Sequence, residues 1–292
     1  MFTGSCVALV TPFNSDGSLN LEKVRELIDW HIAEGTNAIV PCGTTGESVT
    51  LSQAEYESVI KTAIEHVAGR VPVIAGAGSN NTAKAVELAQ FCKDAGADAV
   101  LTIVPYYNKP MPEGMFQHFK AVNEVNIPMV LYNVPGRTGK NMPAQTTLRC
   151  ACELSNAVAV KEASGDLEQA MEIITNTPSN FHVLSGEDAL TLPMIAVGAK
   201  GCISVVANET PKKFSQMIAH ALAGEWDQAR TLHYQLLSLM QFNFAETNPI
   251  PVKTALGLMG KIEPNFRLPL TSMSPDNTEK MKSILTDLNL VP

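Results

Sequence analysis

The sequence predicts an α/β protein, a (β/α)8 or TIM barrel with a C-terminal all-α extension. Three observations lead there: eight short apolar β-rich runs, helical patterns between them, and a recurring glycine before the strands. The runs lie at 6–10, 38–40, 71–75, 99–104, 129–132, 157–160, 182–184 and 202–206. Each is apolar on consecutive residues, as in parallel strands buried on both faces. One barrel plus a modest extension also fits the 292 residues, since such barrels run to about 250 residues.

The helices between the runs have recognisable faces and ends. Leu21, Val24, Leu27, Ile28 and Ile32 mark one apolar face. The next helix opens on Ser52 and Glu55 at capping-box spacing, buries Val59, Ile60, Ala63, Ile64 and Val67, and is followed by Gly69. Gly35, Gly96 and Gly198 each precede a strand and supply the left-handed residue that ends a helix. Alternation of this kind implies βα units and a parallel sheet. The regular strand spacing favours a closed barrel over a doubly wound sheet. After residue 224 the strands stop, and 226–244, 251–259 and 276–288 read as helices. The expected division is therefore a catalytic barrel over 1–224 and a helical extension over 225–292.

Composition narrows the function. A net charge of −8 argues against a nucleic-acid or anionic-membrane partner. No stretch approaches the roughly 18 apolar residues of a membrane span, and the first residues show no signal peptide. The six cysteines match neither a disulfide framework nor a zinc site. Cys6, Cys42 and Cys202 fall in apolar strand-like runs, where a thiol acts as a small hydrophobe. The expectation is a reduced, cytoplasmic protein. The six histidines have no metal-ligand spacing and read as ordinary helix or surface residues. Gly76 and Gly78 resemble part of a dinucleotide fingerprint, but the third glycine is missing and the unit is the third βα, so they read as a tight turn.

Barrel chemistry sits in the loops after the strands. Gly43-Thr44-Thr45-Gly46-Glu47-Ser48 follows the second run; its hydroxyls and backbone N–H groups can hold a carboxylate, though the segment alone reads first as a polar turn. After the fourth run come Tyr106 and Tyr107, able to relay protons or simply to pack at a rim. Arg137, after a Pro-Gly turn beyond the fifth run, carries a fork suited to a carboxylate, or is a solvated surface cation. Lys161 directly follows the sixth run. Burial there would lower the pKa of its ammonium, and a free amine forms Schiff bases with carbonyls. The alternative is a lysine that only marks the strand's exit into solvent.

Taken together, Gly43-Thr44-Thr45-Gly46-Glu47, Pro105-Tyr106-Tyr107-Asn108, Tyr132-Asn133-Val134-Pro135-Gly136-Arg137-Thr138-Gly139 and Val160-Lys161-Glu162-Ala163-Ser164-Gly165 resemble the dihydrodipicolinate synthase family. That family is part of the pyruvate-dependent class I aldolase and N-acetylneuraminate lyase superfamily. The similarity runs from the Phe2 region to Asn248–Lys253 and Arg267–Pro269. It implies a lyase that condenses pyruvate with L-aspartate 4-semialdehyde, in the diaminopimelate route to lysine, without metal or organic cofactor.

By the same resemblance, Lys161 forms the imine, Tyr132 shuttles protons, and Thr44 links it to Tyr107 from the neighbouring subunit. Thr45 holds the pyruvate carboxylate, Arg137 the aldehyde's carboxylate, and Gly186 and Ile203 line the site. A homotetramer built as a dimer of dimers is implied. Lysine-inhibited relatives place an effector near Ser48, Val49, Gln53, Tyr56, Asn80, Lys84 and Tyr106. They carry histidines at 53 and 56 and glutamate at 84, so a cationic Lys84 should repel lysine's ammonium groups. The expectation is weak or absent inhibition. Sugar-acid aldolases share the barrel, lysine and tyrosine but lack the Val134–Thr138 stretch. Two other readings stand beside these: a non-catalytic barrel that senses pyruvate or an amino acid, and a pyridoxal-phosphate barrel, for which residues 186–188 are a poor phosphate cradle.

Overall fold

A computed structural model describes residues 2–292. Its eight strands are β1 (Gly4–Ala8), β2 (Ala38–Val40), β3 (Ile74–Gly76), β4 (Ala99–Ile103), β5 (Met129–Asn133), β6 (Ala157–Glu162), β7 (His182–Ser185) and β8 (Gly201–Ser204). All pairings are parallel, in the order β2-β1-β8-β7-β6-β5-β4-β3. A parallel bridge between Ile39 and Val73, with Ile39 N–H donating to Pro72 O at 3.0 Å, joins β2 to β3 and closes the ring.

The unbroken apolar runs follow from burial on two sides. On β1, Cys6 and Ala8 point into the barrel with Val40, Ile74, Leu101, Leu184 and Ile203. Val7 points outward and packs under helices Leu21–Ala33 and Pro211–Leu222 through Val24, Leu27, Ile28, Phe214 and Ile218. Inside, the small Cys6 and Ala8 of β1 alternate with the larger side chains of other strands, which lets the narrow ring fill.

Several ends move relative to the sequence reading. β3 starts at Ile74 rather than 71, because Pro72 has no N–H for the ladder and Val73 N–H bonds Asp98 Oδ2 at 2.8 Å. β8 stops at Ser204 rather than 206. Buried Asp188 accepts from Val205 N at 3.1 Å and Val206 N at 2.8 Å and turns the chain into the short helix Val206–Asn208. The capping box of helix Gln53–Val67 is present on Ser52 and Glu55, with Ile64 only half-buried. Gly35, Gly96 and Gly198 have φ of +87°, +93° and +119°. Gly76 is required for another reason: a Cβ there would lie 2.1 Å from Cys42 O.

Past β8 and its helix, the chain continues as helices Trp226–Phe242, Ile250–Leu258 and Pro275–Asp287. The first ends at Phe242, not 244, where Asn243 caps it and donates from Nδ2 to Glu209 Oε2 at 2.8 Å. These helices share one cluster with the barrel: Leu236, Leu239, Val252, Leu256, Met281 and Leu285 pack with Val7, Leu9 and Val206. Among the described residues no helix is long and apolar enough to cross a membrane. The cysteines are free, and all but Cys152 are buried. His31 and His118 are buried helix residues whose imidazoles burial depresses to about 3 and about 4, so both stay neutral.

Candidate active site

The mouth at the C-terminal ends of the strands is walled by Thr44, Thr45, Tyr132, Val134, Arg137, Lys161, Gly186, Glu187, Phe244 and Asn248, among others. Lys161 is the penultimate residue of β6, in register with Tyr132 on β5 and Leu184 on β7. It is only 5 % exposed, and its Nζ lies 4.4 Å from the centroid of the Tyr132 ring. Room for its stem comes from Gly186, where a Cβ would stand 3.0 Å from Lys161 Cε and 2.5 Å from Ala163 Cβ.

Below Lys161 the strand ends are locked. Glu162 is buried and accepts from both Asn133 Nδ2, at 3.1 Å, and Ser164 N, at 2.7 Å. Asn133 in turn accepts from Met142 N at 3.0 Å. The neighbours of Lys161 and Tyr132 in sequence are thus spent on fixing β5 to β6, which leaves the amine and the phenol as the groups facing the cavity.

The Thr44–Thr45 loop is shaped by two non-glycine residues in the left-handed region, Cys42 (φ +55°) and Glu47 (φ +51°). Thr11 Oγ1 donates to Gly46 O at 2.7 Å, and Asn248 Nδ2 donates to Thr45 Oγ1 at 3.0 Å. Arg137 rides on the single turn Pro135–Thr138, which proline opens and Gly139 (φ +69°) ends. Its Nη2 donates to Asn248 O at 3.3 Å. One residue of the C-terminal extension therefore touches both the threonine loop and the arginine.

A wider cavity of about 230 Å3 continues outward along Cys42, Gly43, Thr44, Ser48, Val49, Gly76, Gly78, Leu101, Tyr106, Tyr132 and Arg137. Behind it a third cavity, about 260 Å3, is lined by Ser48, Val49, Gln53, Tyr56, Lys84 and Tyr106. Six of the seven residues expected at an effector site thus share one space, and Asn80 sits beside it, donating from Nδ2 to Tyr106 O at 3.2 Å. Lys84 Nζ donates to Gln53 Oε1 at 2.8 Å. Tyr56 is wall rather than rim: it is buried and its hydroxyl donates to Gly76 O at 2.8 Å.

Two expected site residues line none of these cavities in this single chain. Tyr107, with φ +69°, is 89 % exposed and lines none of the three cavities. Ile203 is fully buried on β8, inside the barrel with Tyr132 and Leu184. Conversely, Asn248, Phe244 and Glu187 join the wall without having been singled out from sequence. Burial raises the Glu187 carboxyl above the usual carboxylate range, Asp188 adds to this, and Lys161 and Arg137 oppose it. The Asn248-Pro249 dipeptide was the one available signal for the extension's approach. The N–H groups of Gly186 and Glu187 are taken by Glu162 O at 2.8 Å and Ser185 Oγ at 3.2 Å, and those at the end of β8 by Asp188, so none of these amides is free to cradle a phosphate. Among the described residues no group of three His, Cys, Asp or Glu is placed to hold a metal.

A buried amine at the top of a parallel barrel strand, faced by a phenol, is the arrangement of the lysine-dependent lyases of the class I aldolase type. Within that class, residues 1–288 match the model of the dihydrodipicolinate synthetase family, and the chain belongs to that family. It is 52% identical over 292 residues, the full length of both, to a 4-hydroxy-tetrahydrodipicolinate synthase of Geobacter metallireducens. The fold matches the crystal structure of dihydrodipicolinate synthase from Aquifex aeolicus with a TM-score of 0.97, 47% identity and 99% of each chain covered. It also matches the chloride-inhibited dihydrodipicolinate synthase of Acinetobacter baumannii, complexed with pyruvate, with a TM-score of 0.98, 43% identity and full coverage of both chains.

Proposed function

We infer that this chain works as a 4-hydroxy-tetrahydrodipicolinate synthase, joining pyruvate to L-aspartate 4-semialdehyde through a Schiff base on Lys161. The observation that carries the reading is the buried Lys161 amine, 4.4 Å from the Tyr132 ring, in one cavity with Thr44, Thr45 and Arg137. The amine attacks the pyruvate ketone and water leaves as the imine forms. The imine draws electrons from C3, so a C3 proton departs and an enamine results. The enamine carbon attacks the aldehyde, and the substrate's own amine then displaces Lys161, closing the ring and freeing the enzyme.

The roles follow from place. Tyr132, beside the amine, moves protons in the imine and release steps. Thr45 and the N–H groups of its loop take the pyruvate carboxylate. Arg137, at the outer rim, takes the aldehyde's carboxylate with its planar fork. Gly186 leaves space for the lysine stem, and Ile203 forms part of the apolar floor. In the assembly we propose, a dimer of dimers, Thr44 connects Tyr132 to the partner subunit's Tyr107; an exposed tyrosine in a left-handed backbone conformation on a projecting loop supports that assignment. The barrel of residues 1–224 carries the chemistry, and the extension of 225–292 braces it through Asn248. We place the protein in the cytoplasm, in keeping with its free cysteines. We further propose that the cavity at Gln53 and Lys84 responds weakly or not at all to L-lysine.

The test is a coupled assay with pyruvate, L-aspartate 4-semialdehyde, dihydrodipicolinate reductase and NADPH. NADPH loss should need both substrates and vanish in Lys161→Ala. Borohydride in the presence of pyruvate should attach a reduced pyruvyl group to Lys161. A folded protein that consumes no NADPH would remove the assignment.

A further inference from the structure

The Thr44–Thr45 loop is followed at once by a feature that the reaction, as described, leaves unused. Glu47 and Lys253 form an ion pair at 2.6 Å with side chains 1 % and 0 % exposed. A buried pair of this kind is weak evidence for stability, because each ion must give up its hydration. Its surroundings point to another use.

Glu47 adopts φ +51°, a conformation that a residue with a side chain takes only when held there. Its N–H donates to Thr44 O at 3.1 Å, and Thr50 Oγ1 donates to its carbonyl at 3.0 Å. The strained residue is therefore the end of the turn that presents Thr44 and Thr45. Only one of its carboxylate oxygens, Oε1, has a partner; Oε2 is buried and unpaired. Among the described residues Lys253 is thus the one hydrogen-bond partner of this carboxylate, with the Arg267 guanidinium acting on it only through charge.

Lys253 is in turn fixed from three sides. Its Nζ donates to Asn265 O at 2.6 Å and sits 4.4 Å from the Phe13 ring centroid and 5.1 Å from that of Phe266. It projects from the same helix, Ile250–Leu258, that follows Asn248, whose side chain holds Thr45.

We propose that Lys253 and Glu47 are positioning residues that set the Thr44–Thr45 turn for pyruvate, so that the extension holds the first-substrate site through an ion pair. This rests on the assignment of that turn to the pyruvate carboxylate. Arg137 stands on a separate turn after β5 and meets the extension at the Asn248 carbonyl, not at the ion pair, so the second substrate should be insensitive to the pair.

Three variants test it: Glu47→Gln, Lys253→Met and the double E47Q/K253M. Glu47→Gln keeps an acceptor at nearly the same place. The double variant leaves no unpaired buried charge, so it should melt closer to the wild type than Lys253→Met does. Each protein is measured for thermal midpoint, borohydride trapping against pyruvate concentration, and KM for both substrates. The expected result is a pyruvate KM and half-trapping concentration raised about 10-fold or more in the folded double variant, with the aldehyde KM unchanged, since a misplaced binding group loses affinity before turnover. A double variant that folds and traps pyruvate as tightly as the wild type would overturn the inference alone. Equal loss for both substrates would also overturn it, reducing the pair to a structural role. A wild-type chain that traps no pyruvate would instead overturn the assignment beneath it.

Discussion

Gly186→Ala is the smallest change with a large expected effect on this site. The added Cβ would stand 2.5 Å from Ala163 Cβ, 3.0 Å from Lys161 Cε and 3.1 Å from Lys161 Cγ. Carbon atoms settle at about 3.5–4.0 Å, so the methyl overlaps Ala163 by about 1 Å and the lysine stem by about half that. Ala163 is buried at the end of β6, anchored by its N–H to Asn133 O at 2.9 Å, and cannot move far. The lysine stem is softer and gives way. Overpacking of this kind costs about 1–3 kcal/mol, or a fall in melting temperature of the order of 5 °C. Displacing a reacting amine by even half to one ångström appears directly in the rate, as a loss of up to about 10²-fold. Calorimetry and the coupled assay should therefore show a folded enzyme with modestly lowered Tm and strongly lowered kcat/KM. The double A163G/G186A removes the tighter clash but leaves the crowding of Lys161. It should regain stability before it regains turnover. Wild-type kcat/KM in Gly186→Ala would refute the claim that this glycine exists to seat the nucleophile.

Other outcomes follow from the same geometry. Tyr107→Phe should lower kcat by about 10²-fold, the range of a lost proton-transfer group, and light scattering should show an assembly larger than a monomer; a fully active monomer would exclude the shared tyrosine. L-Lysine should inhibit weakly, because Lys84 places an ammonium in the cavity where lysine's own would sit; strong inhibition at low lysine concentration would exclude this, and Lys84→Glu should increase sensitivity. Glu209 is fully buried, and desolvation pushes its carboxyl well above the usual range. A raised acid binds its proton more tightly in the folded state, so its stabilising effect is complete below the unfolded pKa and fades as pH rises toward the folded one. Between about pH 5 and about pH 9 the wild type should therefore lose more Tm than Glu209→Gln, and parallel curves for the two proteins would contradict it.

Much of this fold was legible because a closed parallel barrel leaves its strands no solvent face. The runs at 99–104 and 129–132 match β4 and β5 within a residue. The errors arose where a distant side chain captured the backbone. Asp188 ends β8 by taking two amides, and Asp98 with Pro72 delays β3. Pro72 stands in the run itself, but the reach of Asp188 and of Asp98 is not visible in a local pattern. Lys161 could be picked out because it follows a run directly, whereas Tyr132 closes one, Thr44 lies in the loop after another, and their roles rest on the resemblance. Asn248 could not, since it acts from a loop more than two hundred residues from Thr45 in the chain. Glu47 read as one polar residue in a turn, and nothing near it in sequence announced that its cation lay at 253.

That long reach has a meaning for how the protein comes into being. A chain leaves the ribosome from its N-terminus, so the turn with Thr44 and Thr45 emerges among the first parts of the molecule. β1 then waits for β8, whose Gly201 and Cys202 align with Gly4 and Ser5. The turn waits longer still, for Asn248 and Lys253. If Lys161 is the nucleophile and the Thr44–Thr45 turn the pyruvate site, as proposed, a nascent barrel has both Lys161 and Tyr132 before that turn is fixed. On the proposed roles, competence for catalysis would arrive only once the last segment has docked.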